Sequence, residues 1–181
     1  LLSRGLGDVY KRQGVQTPAN LKYFNENMVY RTSRIEVLQN WLTENKSKTS
    51  PIIIEKTRLR GRKIFVYAGN MGVAQGLSVF IDLADSLITQ KSIGFLFVGR
   101  GNAVLSLREA VKARGLDNIL IYDEIEPQEM HDLFQQCAVG IISLDKRHKT
   151  HNIPGKFLSY MQSGLPVLAA INSGNDLENI I

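Results

Sequence analysis

From Lys63 onward, short apolar runs alternate with stretches of helical periodicity, and no other feature of the 181-residue chain constrains its fold as strongly. The runs are Ile64 to Ala68, Ile93 to Val98, Ile119 to Tyr122, Val139 to Ser143 and Val167 to Ala170. Between them lie helical patterns over Leu77 to Ile88, Ala103 to Arg114 and Gln128 to Gln136, and a further one after Pro154. Strand–helix–strand repetition at this spacing predicts an α/β fold: a Rossmann-like parallel sheet with helices on both faces. The sequence places the start of this domain near residue 62 and carries it, truncated, to 181. Asn175 to Ile181 begins like a helix and then stops.

The upstream part is of a different character. Ile35, Leu38 and Leu42 recur at helical spacing, and Ser33 with Glu36 forms a capping-box pattern, so a helix is expected between Thr32 and Asn45. A polar stretch over 46–51 follows, then Ile52-Ile53-Ile54 as a short strand before the basic loop around Arg60-Gly61-Arg62. Residues 14–61 thus read as a partial inter-domain or linker region with one helix. Residues 1–13 contain Gly-Leu-Gly-Asp-Val-Tyr-Lys-Arg-Gln, which resembles a translated sequencing-adapter remnant; they are expected to be a non-native leader outside the fold.

Composition narrows the class. With 44% hydrophobic and 22% charged residues the chain is ordinary for a globular protein, and disorder is not indicated. The net charge of +5 concentrates in Arg58, Arg60, Arg62 and Lys63 and in Lys146, Arg147, His148 and Lys149, which suits either an anionic ligand or surface, or plain solvated loops. Aromatic interleaving and zinc spacing are missing, so nucleic acid is not an expected partner. The single cysteine, Cys137, falls on the apolar side of a predicted helix and reads as a small core residue, which fits a reducing cytoplasm. No apolar run approaches the length of about 20 residues that spans a bilayer, so any membrane association is expected to be peripheral.

In open parallel sheets ligands bind beyond the carboxyl ends of the strands, which directs attention to the loops there. Gly69-Asn70-Met71-Gly72 follows the first strand and lets backbone approach a phosphate or sugar, or is a tight turn needing positive φ. It lacks the three-glycine dinucleotide fingerprint. Arg100, within Gly99-Arg100-Gly101-Asn102, either forks onto a phosphate or is a solvated loop residue. The acidic loop Asp123-Glu124-Ile125-Glu126-Pro127 either receives a base or ribose, or caps the next helix. In Asn152-Ile153-Pro154-Gly155-Lys156, Pro154 suits a first helical turn with Asn152 near the cap, and outward amides with the Lys156 ammonium make a phosphate site. Phe157, Leu158 and Met161 form the inward face of that helix, and Gly164 ends it. His131 reads as structural or exposed, while His148 and His151 lie in the suspected phosphate loop. Metal-ligand spacing and a nucleophile elbow are both missing, and no catalytic group can be assigned.

Taken in order, Phe65 to Gly72 with Gln75-Gly76-Leu77, Phe97 to Gly101, Ile119 to Ile125 ahead of Glu129-Met130, and Asn152 to Ala169 resemble the second, donor-binding domain of a retaining GT-B glycosyltransferase of the large family-4 group. Within that group the likeness is to the capsule, colanic-acid and O-antigen branch, including N-acetyl-fucosamine transferases, where an Asn-Ile-Pro-x-Lys segment is usual. Two features depart from the wider family. Its pair of glutamates eight positions apart falls on His151 and Ser159, and its Arg and Lys after the first strand fall on Asn70 and Gln75. The resemblance implies transfer of a sugar from a nucleoside-diphosphate sugar, with retention, to a glycan or polyprenyl-linked acceptor held by a first domain. It implies no cofactor and no metal, a diphosphate held by Asn152 to Lys156 with Arg100 assisting, backbone closure at Gly69, Asn70 and Gly72, and a base bordered by Glu124 and Ile125. It also implies that these 181 residues alone do not turn over. A nucleotide-sugar 2-epimerase and a non-catalytic nucleotide-binding module are the alternatives.

Overall fold

The computed structural model describes residues 12–27, 34–42, 47–147 and 152–181. They form two compact units. The first gathers the described residues between 12 and 41 with Asn152, Ile153 and Ser173–Ile181. It holds strand β1 (Arg12–Val15), helix α1 (Pro18–Asn27) and strand β2 (Arg34–Val37), the strands pairing in parallel from Arg12 with Arg34 to Val15 with Val37. Thr17 caps α1, its hydroxyl accepting from the Asn20 amide at 3.1 Å, with Pro18 in the first turn where no amide is needed. Asn175 caps a short 3-10 turn over Asp176–Asn179.

Two expectations change here. Of the helix foreseen over Thr32–Asn45, the described residues 34–42 are β2 followed by irregular chain: Ile35, Leu38 and Leu42 suit helical spacing, but pairing with β1 overrides that local preference. Arg12 and Gln13, assigned to a leader outside the fold, are paired strand residues, while 1–11 lie outside the described residues, as does Ser33 of the capping-box pattern.

The second unit contains Leu42, 47–147 and Pro154–Asn172. Its elements are β3 (Lys63–Ala68), α2 (Ser78–Ser86), β4 (Ile93–Val98), α3 (Val104–Ala113), β5 (Ile119–Tyr122), α4 (Pro127–Gln135), β6 (Val139–Ser143), α5 (Lys156–Gln162) and β7 (Val167–Ala170). Five parallel strands stand in the order β5-β4-β3-β6-β7. This α/β sheet flanked by helices is the Rossmann-like arrangement that the alternation predicts. The main core packs Tyr67, Phe95, Phe97, Ile119 and Ile141 against Phe80, Ile81, Ala84 and Leu107. Each large apolar side chain so buried contributes about 1.5–3 kcal/mol before entropy is counted.

Residues 47–61, read as linker, pack into this unit, with Ile52, Ile54 and Leu59 buried. The strand expected at Ile52–Ile54 is instead extended chain entering a 3-10 turn over Ile54–Lys56. The Gln136 side chain takes the place of a neighbouring strand, accepting from the Ile54 amide at 3.0 Å and donating to the Ile52 carbonyl at 3.1 Å. Much of the first basic cluster is spent on structure: Arg58 donates to the carbonyls of Asp117 and Ile119, and Arg62 pairs with Asp117.

The chain reverses direction across the sheet between β3 and β6, and the register shows what that does. β3 and β4 pair over six positions, from Lys63 with Ile93 to Ala68 with Val98. β3 and β6 pair only at Phe65 with Val139 and Val66 with Gly140. Beyond those pairs the ladder between the two strands ends, at the switch point of strand order where sheets of this kind hold ligands. Tyr160 of α5 reaches to where the ladder ends. Its hydroxyl accepts from the Ala68 amide at 3.2 Å and points its proton at the carbonyls of Ile141 (3.1 Å) and Val66 (3.2 Å). Burial raises the pKa of that hydroxyl well above its ordinary value, so it stays a donor. Its ring lies where Gly140 leaves room; a methyl group there would stand 2.5 Å from the ring.

Candidate functional site at the carboxyl end of the first sheet strand

After Ala68 the chain turns at Gly69, whose φ of +128° is one that side-chain-bearing residues rarely adopt. The Tyr67 hydroxyl holds the turn by donating to the Asn70 carbonyl at 2.6 Å, with Gln75 Oε1 at 3.3 Å. The same loop is stitched to the one after β4. Gly69 donates to the Val98 carbonyl (2.9 Å), Met71 to that of Arg100 (2.7 Å) and Ala103 to that of Met71 (3.0 Å), and the Val73 amide donates to Asn102 Oδ1 (3.2 Å). A methyl group at Gly99 would fall 1.8 Å from the Gly69 carbonyl oxygen, and one at Gly101 would fall 2.4 Å from the Met71 carbonyl. The glycines around Arg100 therefore serve the close passage of two backbones.

Lys156 approaches this turn from the first residue of α5. Its ammonium lies over the Tyr67 ring, 4.8 Å from the centroid, and its Cε is the nearest group a methyl on Gly69 would meet, at 3.7 Å. It has no carboxylate partner among the described residues. Burial lowers its pKa to about 8. At neutral pH it is thus a charged group that has lost water without gaining a counter-ion, and a phosphate oxygen would supply one.

The start of α5 differs from expectation. The cap is Gly155, with no side-chain cap bond, and Pro154 precedes it, its carbonyl accepting from the Phe157 amide at 2.9 Å. Asn152 stands too far upstream to cap. The buried face of α5 is Phe157 and Tyr160, and Met161, expected inward, is exposed. Gly164 ends the helix with φ +68°, as read. With seven residues, α5 offers a partial charge whose effect is about 0.3–1 kcal/mol, against about 4 kcal/mol for a unit charge pair at 4 Å near a protein surface. Lys156 dominates any attraction for an anion here.

The remaining site residues divide. Gly69, Asn70, Gly72 and Lys156 are brought together, with Pro154 and Gly155 leading directly into Lys156. Asn152 and Ile153 belong to the other unit. There the amide of Ile153, a residue expected in the phosphate site, donates to Gln16 Oε1 at 3.0 Å, and the Asn152 carbonyl accepts from Asn175 at 3.2 Å. Arg100, foreseen as a phosphate fork, pairs with Glu124 at 3.1 Å across the ends of β4 and β5, where opposite charges on adjacent loops meet. Ile125 lines a separate pocket of about 450 Å³ with Glu124, Glu126 and Glu129. Glu126 and Glu129 form the capping box of α4, the alternative weighed for that loop.

Among the other chemical groups, Cys137 has its thiol pushed up to about 12 by burial and donates to the Leu133 carbonyl, which makes it inert. His131 is exposed and meets Ser163. His148 and His151 lie outside the described residues. Sequence reasoning missed two tyrosines. Tyr67 sits in an apolar strand and Tyr160 follows Lys156 at i+4 on a helix, a spacing that puts both on one face and was the available signal.

Residues 62–180 match the family Glycosyl transferases group 1. "Probable glycosyltransferase WbjE" of Pseudomonas aeruginosa is 22% identical over 148 residues, which is 80% of this chain and 37% of that protein. Among solved structures, HepE of Anabaena in complex with UDP and glucose superposes with a TM-score of 0.72 at 17% identity, over 94% of this chain and 47% of that one. TarM of S. aureus, in a complex that includes UDP, gives 0.67 at 13% identity, over 93% and 31%. The chain thus spans about a third to a half of the length of these proteins. No helix among the described residues is long and apolar enough to cross a membrane. A match over this much of the chain, on a parallel sheet of this order, means that it belongs to the Glycosyl transferases group 1 family.

Proposed function

We propose that this chain is the donor-binding part of a glycosyltransferase that moves a sugar from a nucleoside-diphosphate sugar, with retention, to a polysaccharide or lipid-linked acceptor in cell-surface glycan synthesis. The observation that carries the reading is the ammonium of Lys156, half-buried and lacking a carboxylate among the described residues, over the Tyr67 ring and beside the turn at Gly69 where β3 ends. UDP in the HepE and TarM complexes supports a uridine nucleotide as the first probe. WaaG, a glycosyltransferase involved in lipopolysaccharide biosynthesis that superposes with a TM-score of 0.62 at 12% identity, supports a cell-surface glycan as the product class.

On this reading the diphosphate lies against Lys156 and the amides at Gly155 and Lys156, with Gly69, Asn70 and Gly72 closing on the sugar side. As the bond from the anomeric carbon to the diphosphate lengthens, negative charge grows on the leaving oxygens. A positioned ammonium in a dry site stabilises that charge more than it stabilises the ground state. The acceptor and the groups that act on it come from the rest of a longer protein. Calorimetric titration of the 181-residue chain with UDP tests the reading: Lys156→Met is expected to weaken binding at least about tenfold. Equal affinity in the two forms would refute it.

A further inference from the structure

We propose that Tyr67 is the positioning residue of the diphosphate lysine, its ring fixing where the Lys156 ammonium stands and its hydroxyl fixing the turn beside it. The inference rests on the donor-site reading above and adds the side chain that readies both halves of the cradle before a ligand arrives.

Tyr67 is the penultimate residue of β3 and is fully buried. The Phe97 ring of β4 meets it edge-on, with centroids 5.9 Å apart and planes at 65°, so the Tyr67 ring is wedged by a neighbour on the adjacent strand. Its π-face receives Lys156 Nζ at 4.8 Å and its hydroxyl donates to the Asn70 carbonyl. One rigid side chain thus registers the cation and the Gly69–Gly72 turn against each other.

The choice of an aromatic ring has a chemical reason. A buried ammonium needs compensation, and a carboxylate would provide the most, but a carboxylate would then compete with the incoming diphosphate for the same protons. A ring face attracts the cation by its quadrupole, weakly and without net negative charge, so the cation is held in place and still free to bond phosphate oxygens. Tyr160, one turn on from Lys156, fixes the helix, and Tyr67 fixes the charge.

The test is a double-mutant cycle on the 181-residue chain with UDP as the probe, read by calorimetry. Tyr67→Leu is expected to weaken binding about five- to tenfold, while Tyr67→Phe, which keeps the ring, stays within about threefold of the unmodified chain. In a Lys156→Met background Tyr67→Leu is expected to cost no more than Tyr67→Phe does, because the ring acts through the lysine and only the hydroxyl's hold on the turn is left to lose. An equal loss in both backgrounds, or no loss in either, overturns the inference while leaving the donor site standing. No effect of Lys156→Met, or no UDP binding at all, overturns the donor-site reading and this inference with it. Should Tyr67→Leu fail to fold, the unmodified chain still decides. The Lys156 ε-methylene protons must show the upfield ring-current shift of a group over an aromatic face, and ordinary lysine shifts there overturn the proposal.

Discussion

The carboxyl end of β3 has two neighbours, and the molecule treats them in opposite ways. Toward β4 the ladder runs to the last residue and continues into the loops, where Gly99 and Gly101 let backbone lie on backbone and amide bonds join the two turns. Toward β6 the ladder stops at Val66, and its place is taken by a bridge through the hydroxyl of Tyr160, with the ammonium of Lys156 over the Tyr67 ring. Backbone ladders cannot exchange partners without unfolding, whereas side chains can. The sealed side gives the loops a fixed shape, and the bridged side is where a ligand can replace an existing contact.

The sharpest way to break this contrast is on the sealed side. Gly99→Ala would drive a methyl group into the Gly69 carbonyl at a φ of +151° and is expected to cost about 3–5 kcal/mol, seen as a large fall in melting temperature. A melt close to that of the unmodified chain would show that the two loops do not need their close passage. On the bridged side, Lys156→Met is expected to do the reverse. It removes a charge that burial disfavours, so the melting temperature holds or rises while UDP affinity drops. Tyr160→Phe lies between these. It leaves the Ala68 amide without its acceptor and is expected to cost about 1–3 kcal/mol, measurable by urea titration. The smallest effect is expected at Arg100, whose pair with Glu124 is exposed. Arg100→Ala should change UDP affinity less than about threefold, and a larger loss would return Arg100 to the phosphate site.

Titration of Lys156 sharpens the comparison further. Its pKa of about 8 in the folded chain lies below the ordinary 10.5, so the charged form is disfavoured on folding. That cost is fully present below pH 8 and is relieved as pH rises toward 10.5, so this group makes the fold more stable with rising pH across that window. Diphosphate binding favours the charged form. UDP affinity is therefore expected to fall as pH rises from 7 to 9, and the fall should vanish in Lys156→Met.

Much of the sheet could be read from the chain because its central strands are buried on both faces and its half-exposed edge strands, β5 and β7, are still short apolar runs. Ile93–Val98, Ile119–Tyr122, Val139–Ser143 and Val167–Ala170 stand where the apolar runs placed them. Segments whose fate depends on distant partners were less legible. Ile35, Leu38 and Leu42 fit a helix until β1 is there to pair with, and the three isoleucines at 52–54 fit a strand until Gln136 stands in for its neighbour. At the site, Lys156 and Gly69 could be read because charge and positive φ leave marks in sequence. The roles of Gly99 and Gly101 could not, since a glycine needed for phosphate and one needed for a passing backbone look alike. Tyr67 inside an apolar strand reads as core, and for Tyr160 the i+4 spacing from Lys156 is the one trace; the hydroxyl roles of both depend on where the ladder to β6 ends.

The most direct measurement is the pKa of Lys156 itself, followed through its ε-carbon by NMR with and without saturating UDP. The account predicts a value near 8 in the free chain and a clear rise when UDP is bound, as the ammonium gains the diphosphate as counter-ion. An ε-carbon that titrates near 10.5 in the free chain, or whose titration is unmoved by bound UDP, would contradict it.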